Sequence, residues 1–145
     1  MSAEKKIFID AQNSVLGRLA SFAAKKALQG EQVAIVNAEK VVITGSSDYA
    51  MQKLKIKIDL HSKGNPRKGP KCSRMPDKVL RRAIRGMLPF ERKRGREAFK
   101  RVQVFISIPA EMQGKQFTKL DVAAHSAKQR YVELGTICKL LGAKW

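Results

Sequence analysis

Ile7, Phe8 and Ile9 stand in an unbroken apolar row, and Val33 to Val36 repeat the pattern after a helix-length gap. A strand with one wet face alternates apolar and polar residues. An unbroken row marks a strand covered on both faces, as in a parallel sheet. The stretch between the two rows reads as a helix. On a wheel of 100° per residue, Leu16, Leu19, Ala20, Ala23 and Ala27 share one arc, with Arg18 and Lys25 opposite. Asn13 or Ser14 is placed to cap its start, and Gly30 to close it. Strands over 5–10 and 32–38 with a helix between them put the chain in the α/β class.

A third apolar run, "VVITG" (41–45), follows the second after a link too short for a helical crossover. It forms either a hairpin or a bent extension, and its pairing direction stays open. "SSDYAMQKLKIKIDL" (46–60) begins with serine caps and continues as a helix, although its tail also alternates like a strand. Residues 76–88 read as a helix with Pro76 near its first position. Val79, Leu80, Ala83, Ile84 and Met87 fill one arc; Lys78, Arg81, Arg82 and Arg85 fill the other. Pro89 ends it. A basic turn and short helix (91–101) follows, with Ala98 and Phe99 as its apolar contacts, and then a fourth strand, "VQVFISI" (102–108). Residues 109–145 form a C-terminal extension: a loop at "EMQGKQF", then a short amphipathic helix using Leu134, Ile137, Leu140 and Leu141. At 145 residues the chain fits one domain with a real core, 1–145.

The charge is unevenly placed. Residues 1–60 hold nine Lys/Arg against six Asp/Glu, 102–145 hold six against three, and 61–101 hold fifteen against three. Two thirds of the formal +18 therefore lies in the middle of the chain. A solvated charged face mixes both signs, and here only Asp77, Glu91 and Glu97 do so. An excess of this kind is an electrostatic footprint for a polyanion. Its members are Lys63, Arg67, Lys68, Lys71, Arg74, Lys78, Arg81, Arg82, Arg85, Arg92, Lys93, Arg94, Arg96, Lys100 and Arg101; Arg18, on the outer arc of the first helix, joins them as a candidate.

The type of polyanion follows from the side chains. Arginine's planar fork binds phosphate bidentately and stacks on bases. Residues 61–76 carry three prolines and two glycines among their cations, so they should lack regular structure alone and order on binding. Such a segment beside a basic helix suits the irregular surface of folded RNA. It does not suit sequence readout of duplex DNA, which needs side chains such as Asn or Gln at base edges. Aromatics are only 6% of the chain, too few for an extended stacking platform; Phe99 is expected in the core and Phe90 is undecided. A membrane surface would need a free apolar helix face, and the fold takes that face of 76–88; no membrane partner is expected.

Catalysis finds little support. "DAQNSVLGRLAS" has one glycine where a dinucleotide fingerprint needs three, and no phosphate-binding "GKS" or "GKT" occurs. Asp10, at a strand end, reads as a turn residue, with no second carboxylate, histidine or nucleophile placed to work with it. Cys72 and Cys138 fall in no metal spacing and read as free thiols; His61 and His125 are isolated. We expect no catalytic residue, metal, cofactor or small-molecule substrate. The N-terminal "MSAEKKIFIDAQ" lacks the pattern of a secretory signal, and a cytoplasmic location is expected. A free-standing RNA binder or a nucleotide-dependent enzyme of RNA metabolism are the alternatives that the residues leave open.

"FIDAQNSVLGRLAS", "GEQVAIVNAEKVVITG" and "IRGMLPFERKRGREAFKRVQVF" occur in this order. Over about residues 5–108 the chain resembles the thirteenth universal protein family of the large ribosomal subunit. Its short link from the first helix to the second strand and its Pro/Lys/Arg-rich 61–75 loop resemble the archaeal and eukaryotic branch. The resemblance implies an α/β/α three-layer domain around a small, mostly parallel four-stranded sheet. It also implies binding to large-subunit ribosomal RNA beside neighbouring large-subunit proteins, with no catalysis and no cofactor. By match to the motif, Arg85, Gly86, Pro89, Arg94, Gly95 and Arg96 are expected to face RNA or shape a turn.

Overall fold

The computed structural model describes residues 6–60, 62, 64–126 and 129–145. Strands β1 (Lys6–Asp10) and β2 (Gln32–Val36) pair in parallel over their full length, Lys6 opposite Gln32 and Asp10 opposite Val36. Helix α1 (Leu16–Leu28) joins them. Strand β4 (Val102–Val104) lies parallel to β2, and the two-residue β5 (Thr118–Lys119) lies parallel to β1. The sheet order is β4-β2-β1-β5, so the expected four-stranded parallel sheet is present.

Its fourth member is not the run at 41–45. Strand β3 (Val42–Thr44) leaves the main sheet and pairs antiparallel with β6 (Tyr131–Glu133). The departure begins at Asn37, whose backbone turns left-handed (φ 57°), and continues through a 3₁₀ turn at Ala38–Lys40. Asparagine tolerates that conformation better than most residues. Its amide Nδ2 donates to Asp10 Oδ1 at 2.8 Å, and the same carboxylate oxygen accepts from Gln12 N–H at 3.1 Å. Asp10 is thus a turn-holding residue. The run at 41–45 is the bent extension, not a hairpin.

The sheet alternates as strands must. Ile7, Ile9, Val33, Ile35, Val102 and Val104 point to the larger core, where α1, α3 (Pro76–Met87) and α4 (Lys93–Lys100) supply Leu19, Ala23, Leu80, Ile84 and Ala98. Phe8, Ala34 and Val36 point the other way, onto Phe105, Met112 and Phe117. Helices cover the first face; the segment from Phe105 to Phe117, with a 3₁₀ turn at Ala110–Met112, covers the second. Strand β4 stops at Val104, short of the expected 108, because the chain turns at Ser107 (φ 57°), whose N–H donates to Glu39 Oε2 at 3.1 Å.

Helix α2 (Ser47–Asp59) is helical to its end, and Ser46 Oγ accepts from Tyr49 N–H. Helix α5 (Leu134–Leu140) closes the fold against the 38–40 turn, where a side chain at Gly135 would strike the Glu39 carbonyl. Four local expectations are corrected. The residue before α1 is Val15, with no side-chain cap: Asn13 has a left-handed φ of 58°, and Ser14 is buried, its carbonyl accepting from Val42 N–H. Met87 is 44% exposed and Leu140 63% exposed, so neither belongs to its apolar arc, and Cys138 takes the buried place on α5. No helix among the described residues is long and apolar enough to cross a membrane.

Candidate nucleic-acid interface

Helix α3 anchors the basic region, because one face is fixed by the core and the other is free. Pro76 occupies its first turn; Leu80 and Ile84 are fully buried. Lys78, Arg81, Arg82 and Arg85 stand exposed on the opposite side. Two of these guanidiniums lie over rings. Arg81 Cζ is 4.7 Å from the centre of the Phe99 ring, and Arg85 Cζ is 4.1 Å from that of Phe90. The two rings meet edge to face at 5.6 Å. Phe90, undecided from sequence, is therefore half of an aromatic pair that holds two arginines in place. A stack of this kind is worth roughly 0.5–1 kcal/mol at an exposed site, and it fixes side chains that would otherwise lose rotamer freedom on binding.

Arg82 is held differently: its Nη1 donates to the Lys71 carbonyl at 3.3 Å and to Cys72 Sγ at 3.0 Å. That contact ties the loop to the helix. Arg67 and Lys68 lie exposed on a 3₁₀ turn (Pro66–Lys68), with Asn65 Oδ1 accepting from Arg67 N–H. Lys63 lies outside the described residues.

Opposite α3 stands α2, and between them runs a groove of about 790 Å³. From α3 it takes Lys78, Arg81, Arg82 and Arg85; from the loop, Lys71 and Arg74; from α2, Lys53 and Lys57. Among the described residues no Asp or Glu lines it. Its floor is apolar, with Leu54, Val79 and Phe99 half-buried against the main core. Lys53 and Lys57 were not singled out from sequence. Their spacing of four residues places them on one helical face, but α2 holds only three lysines against two aspartates, a weak excess beside that of 61–101, and only the fold brings the two helices together.

The remaining candidates spread around this centre. Gly86, Pro89 and Arg92 border a second, smaller concavity with Arg82 and Arg85. Arg94 Nη2 reaches the Leu28 carbonyl at the end of α1 at 3.5 Å, and Arg96 Nη2 the Glu91 carbonyl at 3.4 Å. Lys93 and Lys100 are exposed on α4, while Arg101 is half-buried at its end. Arg18 lies apart, with Nη1 at 3.4 Å from the Ala124 carbonyl. The structure thus gathers six of the candidate cations into the groove and leaves Arg18 outside it.

The two motif glycines separate cleanly. A Cβ on Gly95 would lie 2.0 Å from the Pro89 carbonyl oxygen, so Gly95 is buried and shapes the turn. Gly86 is exposed and its backbone is not left-handed. A Cβ there would meet open space, so the fold itself has no need of glycine at this position.

Electrostatically the region is unpaired. Among the described residues the one ion pair within 4.0 Å joins Lys26 to Glu31, at 3.3 Å, outside the basic block. Two cysteines, Cys72 and Cys138, line the groove. Both are free thiols, and Cys138 is fully buried, with burial first and the nearby Asp77 second pushing its thiol up to about 11. A neutral thiol is a poor nucleophile.

Comparison with known proteins places the chain in a family. The family model for ribosomal protein L13 matches residues 4–111. The large ribosomal subunit protein uL13 of Methanosphaera stadtmanae is 44% identical over 138 residues, covering 94% of this chain and 97% of that protein. Its namesake in Methanocaldococcus jannaschii is 45% identical over 139 residues, 94% of this chain and 98% of the other. That of Methanococcus maripaludis is 42% identical over 142 residues, 96% and 99% respectively. These matches extend through most of the C-terminal extension as well as the sheet and the basic block, and the chain belongs to the ribosomal protein L13 family.

Proposed function

We propose that this protein is a structural constituent of the large ribosomal subunit, without catalytic activity, and that it binds large-subunit ribosomal RNA through its basic surface. Neighbouring large-subunit proteins complete its surroundings, in the cytoplasm. The observation that carries the reading is the set of exposed cations on α3 and around its groove, held in place by rings and carbonyls yet paired with no carboxylate among the described residues. Like charges so placed repel unless something outside supplies the counter-charge. Phosphates and 2′-hydroxyls of a folded RNA do so without demanding a regular duplex.

Within this reading Lys78, Arg81, Arg82 and Arg85 meet phosphates, and Arg67, Lys68, Lys71 and Arg74 extend the contact along the loop. Lys63 belongs with them by charge. Arg92, Lys93, Arg94, Arg96, Lys100 and Arg101 carry it past Pro89, and Arg18 contributes at the edge. Gly86 leaves the α3 backbone open to close approach by the sugar–phosphate chain, while Gly95 sets the turn that presents Arg92 and Arg94. The test is co-sedimentation: the protein should travel with large subunits through a wash in moderate salt and be absent from free small subunits. Release of the whole pool at low salt would contradict the reading, as would binding of a free nucleotide in its place.

A further inference from the structure

We infer that the groove between α2 and α3 holds an unpaired stretch of RNA, with phosphates on its cationic rims and a base against its apolar floor. The inference rests on the reading above and adds the kind of RNA and the second wall of the site. Three observations carry it. First, the rims come from two elements: Lys53 and Lys57 on α2 face the α3 cations, with no acid between. A duplex laid on α3 alone would leave the α2 lysines unneutralised.

Second, the floor is apolar, which serves phosphates poorly and base faces well. A duplex hides those faces in its stack, whereas an unpaired strand presents them. Tyr49, 62% exposed at the groove, offers a ring, and Arg81, held over the Phe99 ring, offers a guanidinium at the groove wall. A base can stack on a ring or a guanidinium; a carboxylate pairs with the guanidinium edge and makes no use of the ring or the apolar floor, which favours RNA over an acidic peptide.

Third, the space fits. The groove's 790 Å³ lies within the roughly 300–1,000 Å³ that encloses small ligands.

The test uses the full chain and three probes: a single-stranded uridylate octamer, a blunt RNA duplex with as many phosphates, and an octaglutamate peptide. Lys53→Gln with Lys57→Gln should weaken octamer binding about 10–30-fold at 0.1 M salt and leave duplex binding within about twofold. Tyr49→Ala, a change at an exposed ring, should cost octamer binding about 5–100-fold. Octamer should also protect Cys72, which lines the groove, from maleimide.

If both variants bind octamer as the parent does while Arg81→Gln with Arg82→Gln and Arg85→Gln weakens it, the groove assignment falls and the ribosomal reading stands. If the arginine changes also leave octamer and duplex binding intact, both fall. Tighter binding and better Cys72 protection by the peptide would overturn the assignment in favour of a protein partner.

Discussion

Helices α1 and α3 lie against the same face of the same sheet, and their inner surfaces are written alike. Leu19, Ala20, Ala23 and Ala27 on one, and Leu80 and Ile84 on the other, are fully buried. Their outer surfaces differ. At the end of α1, Lys25 and Lys26 complement the helix dipole, and Lys26 pairs with Glu31. On α3, Arg81 and Arg85 rest on rings, Arg82 on a carbonyl and a thiol, and no carboxylate among the described residues pairs with any of them. The core dictates the inner face of both helices. Only α3 keeps an outer face of ordered cations that pair with no carboxylate among the described residues, and the proposed RNA-binding surface rests on that face.

Substitutions can break this comparison or sharpen it. The largest effects should fall on the shared feature: Leu19→Ala and Leu80→Ala should each cost about 2–5 kcal/mol of stability in urea unfolding. If Leu80→Ala cost far less than Leu19→Ala, α3 would be a loosely attached helix and its inner face misjudged. Next comes the outer face of α3. Arg81→Gln with Arg82→Gln and Arg85→Gln should lower affinity for large-subunit RNA about a hundredfold at 0.1 M salt. The free protein should stay folded and lose only about 1–2 kcal/mol, from two ring contacts.

Gly86→Ala should split the two properties. Alanine in a helix is favoured over glycine by about 0.5–1 kcal/mol, so thermal unfolding should shift upward while RNA binding weakens. A rise in both would show that nothing approaches the helix there. The smallest effect belongs to α1: Lys25→Gln with Lys26→Gln should change RNA affinity less than about threefold and stability by less than about 1 kcal/mol, as for a partly exposed ion pair.

Much of this was legible in the sequence, for reasons that particular residues make plain. Unbroken apolar rows announced β1 and β2 because burial on both faces leaves no polar position in the strand. The split arc of α3 announced both of its faces, and Pro76 and Pro89 its ends. Strand β5 was invisible, because two exposed residues, Thr118 and Lys119, carry no periodicity; their place is set by pairing with Ile9 and Asp10. The exit of β3 from the sheet turned on one left-handed asparagine, Asn37, which could equally have sat in a hairpin. Lys53 and Lys57 escaped notice because a groove is a relation between two helices, and spacing within one of them says nothing about the other. Met87 and Leu140 occupy the final turns of short helices, where the apolar arc runs past the end of the core and leaves the side chain in solvent.

The central claim is that the crowded cations of α3 and its groove are neutralised by RNA phosphates. The salt dependence of binding reports this directly, since each phosphate met releases about 0.7–0.9 of a counterion. Plotting the logarithm of the association constant of the full chain for large-subunit ribosomal RNA against the logarithm of salt concentration should give a slope of about −5 or steeper. In the Arg81, Arg82 and Arg85 triple variant the slope should be shallower by about 2–3. A parent slope near zero, or the same slope in both proteins, would contradict the account.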